Sequence, residues 1–443
     1  MWTRREGLAL DDVLHHFHAF QESQRKPIQE NFDIQWQRLQ QLICHAYDQV
    51  PYYRNVFEQY GLTPSSIKSP EDFRRIPLLT KEIIQEQGEN LIARNYRDTP
   101  LIRVASGGST GQPTRLFKNS TNRAITTACT WGYNQWIGWN AGDRAVRLWG
   151  SLEPMTFKKK LLRWGSKFCT NEIKHNVHNM EKRHMKKFED CIRNFRPKII
   201  IGYTNVIYEF AKYLLDEKRQ LNELIGIVTT AETLFAYQRE SIEKAFGCRV
   251  FNRYASNEMG QIAGECEQGN LHLNIPYIYF EFLAKDCPVE GETPGNVIVT
   301  DLTNYAMPII RYQLGDMAVP DSQTCGCGRS LPLVRDLRGR LSDVIVTSGQ
   351  AYIFADDIAE IFYPMTEIKQ FQVVQQSLNV LTVKLVRKNG VGTEIDSYIQ
   401  SRVQEAVGND IEVRLQVVDD IPRLPSGKHR ICISQIGQYG DRN

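Results

Sequence analysis

The 443-residue chain lacks any apolar run near the roughly 20 residues a membrane-spanning helix requires. It also lacks a dominant charge. Its 54 Lys and Arg against 51 Asp and Glu leave a formal +3, which argues against general attraction to nucleic acid or a membrane surface. The 10 cysteines are scattered, without the dense regular spacing of a secreted disulfide scaffold, so a reducing compartment is expected. The start, Met1-Trp2-Thr3-Arg4-Arg5-Glu6, leads into polar, His-rich sequence with no apolar segment of a secretory signal, and a cytoplasmic location is the expectation. Internal repeats and low-complexity tracts are not apparent. What is there is ordinary globular composition, 42% hydrophobic and 24% charged, at a length that calls for about two or three domains.

Residues 20 to about 95 read as helices joined by short turns. From Asp33 to Ile43 apolar residues recur three or four apart, Pro51 closes that helix, and Pro64-Ser65-Ser66 supplies a turn and cap. From Leu101 onward, β-branched runs alternate with amphipathic stretches, which predicts α/β layers. Lys198–Gly202, Ile225–Thr230 and Arg249–Phe251 read as buried strands, and Gly295–Thr300 as a strand of a later sheet. Val373-Val374 and Leu381–Val386 mark strands of a short final unit, with the boundary placed at Gly339 to Asp343. The expected fold is therefore α/β. A large multi-layered N-terminal domain (1–339, with 1–95 its helical opening) precedes a small mobile α+β C-terminal domain (340–443).

The most informative stretch is Ala105-Ser106-Gly107-Gly108-Ser109-Thr110-Gly111-Gln112-Pro113-Thr114. Its glycines let backbone amides approach an anion, and its hydroxyls can donate to phosphate oxygens. No Gly-Lys-Ser/Thr follows, so it is not a Walker A loop. Further on come Tyr254-Ala255-Ser256-Asn257-Glu258, Arg311–Asp316, Arg338-Gly339-Arg340-Leu341-Ser342-Asp343 and Pro425-Ser426-Gly427-Lys428. That ordered series resembles the core motifs of the adenylate-forming superfamily of acyl-CoA synthetases, luciferases and peptide-synthetase adenylation domains. The opening, His45–Arg54 with Ser69–Phe73 and Pro77–Lys81, resembles the phenylacetate–CoA ligase branch, which includes capsule-biosynthesis relatives.

The resemblance covers nearly the whole chain and implies ATP-dependent activation of a carboxylic acid, with release of pyrophosphate and then transfer to coenzyme A. It puts Ser106, Gly107, Gly108, Ser109, Thr110 and Gly111 around the ATP phosphates, and Ala231-Glu232 beside adenine with Tyr254 and Asn257 nearby. Asp316 would accept from the ribose hydroxyls, Arg340 would contact the nucleotide, and Glu258 would hold Mg²⁺. Lys428 would bridge the attacking carboxylate and the α-phosphate, with Ser342 at the hinge. Asn257 stands where relatives have Ser or Thr, and Thr114 where many have Lys. The implied partners are a small-molecule acid and a thiol or amine acceptor, with a homodimer as the one assembly considered. The alternatives are an amine or sugar acceptor in polysaccharide or secondary-metabolite biosynthesis, and a nucleotide-binding protein without turnover.

Cys325-Gly326-Cys327 with Cys266 and His272 supplies a Cys₃His set suited to structural Zn²⁺, and some phenylacetate–CoA ligase relatives carry Cys and His at these places. Trp131, Tyr133, Trp136 and Trp139 read either as the wall of an acyl pocket or as plain core. The run Lys158–Lys187 holds 10 Lys or Arg and only 2 acids, either a solvated face or a dock for an anionic acceptor.

Overall fold

The computed structural model describes residues 8–105, 114–149, 171–175, 177, 182–221, 223–284, 287–289, 293–340, 344–347, 352–362, 365, 367–388, 390–422 and 430–436. Leu39, Leu42, Ile43 and Ala46 recur at helical spacing and form the buried face of a helix spanning Ile28–Gln49. Pro51 ends that helix by holding Val50 extended, but it also begins the next one, Pro51–Gln59, from the first helical position. The His-rich opening folds too. The helix Leu10–Ser23 buries Val13 and Phe20 against the helix Ser120–Trp136, and Phe20 meets Tyr133 edge-on at 5.2 Å. Gly132 permits this contact, because a Cβ there would stand 2.3 Å from the Phe20 ring.

β1 (Ile102–Ala105) and β2 (Arg115–Lys118) form a hairpin with Ala105 opposite Arg115. β3 (Ala145–Leu148), β4 (Glu172–His175), β5 (Ile199–Tyr203), β6 (Gly226–Thr230) and β7 (Val250–Ser256) then run parallel in the order β4-β3-β5-β6-β7. Every residue of β5 and β6 is buried, the pattern of strands covered on both faces. The same 12-stranded sheet continues antiparallel. Its further strands are β8 (Gly260–Glu265), β9 (Leu271–Leu273), β10 (Ile278–Ala284), β11 (Cys287–Pro288), β12 (Gly295–Asp301), β13 (Tyr312–Asp321) and β14 (Leu333–Arg340), in the order β8-β9-β14-β13-β12-β10-β11.

After β14 comes a smaller unit. β15 (Val344–Val346) and β16 (Tyr352–Phe354) pair with each other. β17 (Ile368–Ser377), β18 (Val380–Arg387), β19 (Glu412–Val417) and β20 (Cys432–Ser434) make a four-stranded mixed sheet in the order β19-β18-β17-β20. Helices Ala355–Phe362 and Asp396–Val407 close a separate core around Ile358, Val373, Leu381, Ile399 and Val403. The architecture is thus α/β with a small C-terminal α+β unit. Among the described residues no helix is long and apolar enough to cross a membrane.

One buried ion pair fastens the opening segment to the sheet. Arg311, at φ 52°, donates to both carboxylate oxygens of Glu281 (2.9 and 3.1 Å) and to the carbonyls of Arg74 and Ile76. Leu79 completes the seam, donating to Arg311 O and accepting from Gln313 N at 2.9 Å each. Arg311 therefore serves as an internal clamp at the head of β13.

Candidate adenylation site

At the ends of β6 and β7 the chain turns sharply. Ala231 follows β6 with φ 70°, a conformation that is costly for a residue with a Cβ. Glu232 is committed to the start of the preceding helix: its Oε2 accepts from Asn205 N at 2.9 Å and its carbonyl from the Thr204 hydroxyl at 3.0 Å. A carboxylate is favoured at the start of that helix, Thr204–Asp216. Backbone is what this segment offers a ligand.

On the next strand Tyr254 donates its hydroxyl to Asp316 Oδ2 at 2.6 Å. Asp316 follows Gly315, at φ 82°, and pairs with Arg340 across the β13–β14 ladder. The backbone of Arg340 is therefore level with Asp316; its side chain lies outside the described atoms. Asn257, exposed, and Glu258, half-buried, occupy the β7–β8 turn, where Ser256 Oγ accepts from Met259 N at 3.0 Å. Gly260 ends the turn at φ 78°, and a Cβ there would stand 2.8 Å from Thr126. That approach sets the Glu258 turn against the helix Ser120–Trp136.

Ser106, Gly107, Gly108, Ser109, Thr110 and Gly111 lie outside the described residues, as do Ser342 and Lys428. The flanks of the loop are held: the β1–β2 ladder joins Ala105 to Arg115, and buried Thr114 accepts from Gln85 Nε2 at 3.3 Å. Sequence reasoning missed Lys118, at the end of β2 and only 3% exposed. Burial pulls its ammonium below the ordinary lysine value, against the opposing pull of Asp301 and Glu258. In sequence Lys118 ends a strand that also begins with a cation, Arg115, so burial alone marks it.

The four metal candidates converge, their ligand atoms all within 4.8 Å of one another. Cys266 Sγ is 3.6 Å from Cys325 Sγ, and Cys327 Sγ 3.3 Å from His272 Nε2. His272 Nδ1 lies 3.1 Å from Leu331 O, an arrangement that fixes the ring and leaves Nε2 facing the sulfurs. Burial pushes the Cys266 thiol up to about 12 and His272 down to about 4. Burial also acts to raise Cys325, yet amide donors from Cys327 and Asn270 hold it below the ordinary thiol value. Three sulfurs and one imidazole nitrogen are a donor set that fits tetrahedral Zn²⁺.

The aromatic residues resolve as core. Tyr133 and Trp136 pack into the main cluster, and Trp139 with Trp131 packs against Ala145, Ile199 and Val228. Of the basic run, 158–170 lies outside the described residues. Its C-terminal part forms the helix Lys182–Phe195, where Lys186 pairs with Glu189 and Asp190.

Comparison with known proteins agrees with this geometry. The profile of the CapK C-terminal domain matches residues 345–435. The chain is 24% identical to Protein CapK of Staphylococcus aureus, over 95% of this chain and 93% of that one. It is 22% identical to the phenylacetate-coenzyme A ligase of Thermus thermophilus, over 90% and 95% respectively. Among solved structures, 2-hydroxyisobutyryl-CoA ligase in the postadenylation state with 2-HIB-AMP superposes with a TM-score of 0.74 at 20% identity, covering 94% of this chain and 91% of that one. Fold, motif order and relatives together are those of the adenylate-forming ligases, which the chain resembles over nine-tenths of its length.

Proposed function

We propose that the protein uses ATP to convert a carboxylic acid to its acyl-adenylate, and then transfers the acyl group to coenzyme A. A carboxylate oxygen attacks the α-phosphorus, and the bond from that phosphorus to the α,β-bridging oxygen breaks, its electron pair leaving on pyrophosphate; the thiol of coenzyme A then attacks the acyl carbon and AMP leaves. Positioning and neutralisation of charge are the main work asked of the protein. The observation that carries the reading is the Tyr254–Asp316 contact, which brings two separated motifs together; in this reading Asp316 accepts from the ribose and Tyr254 supports it.

In this reading Glu258, half-buried in the β7–β8 turn, holds Mg²⁺ through a carboxylate oxygen. The loop Ser106–Gly111 surrounds the β- and γ-phosphates, Ala231 and Glu232 border adenine through their backbone, and Asn257 donates an amide N–H toward the α-phosphate. Lys428 bridges the attacking carboxylate and the α-phosphate, with Arg340 against the nucleotide. The domains divide at 339/340, and rotation about Ser342 withdraws Lys428 for the thiol step. Zn²⁺ on Cys266, His272, Cys325 and Cys327 ties the segment after β8 to the segment after β13 and is structural, since a closed four-ligand site leaves no open position.

The similarity to the indoleacetate--lysine synthetase of Pseudomonas savastanoi, 24% identical over 56% of this chain, favours a second reading of the acceptor alone, an amine, or likewise a sugar hydroxyl, in place of coenzyme A. Mass spectrometry of the products tests both. An acyl thioester formed only with ATP, acid and coenzyme A supports the first reading. An amide or ester formed without coenzyme A supports the second, and ATP binding with no acyl product would contradict both.

A further inference from the structure

The chemistry above leaves the guanidinium of Arg253 unused. Arg253 is 6% exposed and precedes Tyr254 on β7. Side chains alternate across a strand, so it turns away from the Tyr254 face and toward the helix Ser120–Trp136. There Nη1 donates to Asn134 Oδ1 at 2.8 Å, and Cζ lies 5.7 Å from the centre of the Tyr133 ring. Asn134 is neutral, and Nε is buried without an acceptor. Among the described residues no carboxylate pairs with this group; Glu172, elsewhere on the sheet, is committed to Arg147. Burial, aided by the positive charge of Arg147, pulls Arg253 down to about 9, which leaves it a cation at neutral pH. Burying a guanidinium without a counter-charge is costly, and such groups are ordinarily paired.

Placement indicates where its partner comes from. Thr230, the last residue of β6, lies opposite Arg253 in the parallel ladder. Arg253 is thus adjacent in register to Ala231 and in sequence to Tyr254, two positions assigned above to the nucleotide. In the adenylation reading the reacting carboxylate meets the α-phosphate at this end of β6 and β7, so the rest of the acid starts beside the strand position that carries Arg253. Two further buried polar atoms lack partners beside the helix Ser120–Trp136: Oδ1 of Asn122, in its first turn, and Oδ1 of Asn274, whose Nδ2 contacts Cys129 Sγ.

We propose that the activated acid carries a second anionic group, a carboxylate in its best-matched form, and that Arg253 pairs with it and sets substrate specificity. The planar guanidinium fork matches the two oxygens of a carboxylate, and a dry site strengthens the contact. The proposal rests on the adenylation reading and narrows its substrate class.

The test compares acids of equal length that differ only at the far end, a dicarboxylate and its monomethyl ester. Pyrophosphate release reads turnover and thermal shift reads binding. Wild type is expected to favour the dicarboxylate in kcat/KM by about tenfold or more, the size of one charged hydrogen bond. Arg253→Met, which keeps the packing of the stem, is expected to abolish that ratio, and Arg253→Lys to retain part of it. A wild type that favours the ester, or a ratio unchanged in Arg253→Met, overturns the proposal and leaves the adenylation reading standing. If no acid releases pyrophosphate, Arg253-dependent stabilisation by the dicarboxylate keeps Arg253 as a carboxylate-binding group but removes the adenylation reading, and with it the proposal about the activated acid. No such stabilisation removes both.

Discussion

Tyr254 and Asp316 stand 62 residues apart, and the 2.6 Å bond between them is where two sequence motifs become one site. If Asp316 accepts from the ribose, Asp316→Ala is expected to raise the KM for ATP about tenfold or more, as loss of a charged hydrogen bond requires. Tyr254→Phe should have a smaller effect, because it removes only a support; steady-state kinetics at saturating acid would show both. Glu258→Gln is expected to raise the Mg²⁺ concentration needed for half-maximal pyrophosphate release, since an amide oxygen lacks the charge that holds a hard cation. An unchanged Mg²⁺ titration would reassign Glu258 to a structural role. At this scale Tyr254 and Asp316 were legible as motif residues and the structure brings them together, whereas Ser106–Gly111 and Lys428, read from their spacing, lie outside the described residues. Arg253 and Lys118 were not legible, because only burial distinguishes them from ordinary surface cations. Arg311 looked like part of the ribose motif, yet its side chain is turned inward onto Glu281.

Among the elements, strands 199–203, 226–230 and 295–301 stand close to where their β-branched runs predicted them, because strands buried on both faces declare themselves as apolar runs. The helix Leu10–Ser23 was hidden by its histidines, although Val13 and Phe20 carry its buried stripe. The Cys₃His cluster was legible as a set of residues, but not its register, which depends on pairing His272 in β9 with Leu333 in β14. Cys325→Ser is expected to lower zinc content from about one per chain and to lower Tm with it, because metal binding is linked to the folded state. Zinc-free wild-type protein with unchanged melting in the variant would leave four ordinary residues. The helix Lys182–Phe195 is fastened by Glu189, whose side chain is 3% exposed. Burial opposes its charge, but Arg219 at 2.6 Å and Arg193 at 2.9 Å outweigh it and hold the carboxyl below the usual glutamate range. A lowered folded pKa contributes stability above the unfolded value of about 4.3, and that contribution fades as pH falls through the folded value. Glu189→Gln should therefore melt below wild type at pH 7, and the gap should close as pH drops below about 4. A gap independent of pH would assign the loss to packing.

For the whole molecule, an α/β body with a small C-terminal unit followed from the change of pattern along the sequence. The way the body's sheet passes from parallel to antiparallel strands at β7–β8 did not, since it is set by pairings far apart in sequence. The account assigns the two units different tasks: the large one holds ATP and acid, and the small one brings Lys428 to the first half-reaction only. Thioester formation from a pre-made acyl-adenylate should accordingly survive Lys428→Ala. The central claim, that a carboxylate attacks the α-phosphorus of ATP, is tested most directly by isotope exchange of pyrophosphate into ATP in the absence of any acceptor. Wild type should show exchange that depends on added carboxylic acid, and Lys428→Ala should lose it while still binding ATP. Exchange that proceeds without acid, or that Lys428→Ala leaves intact, would contradict the account.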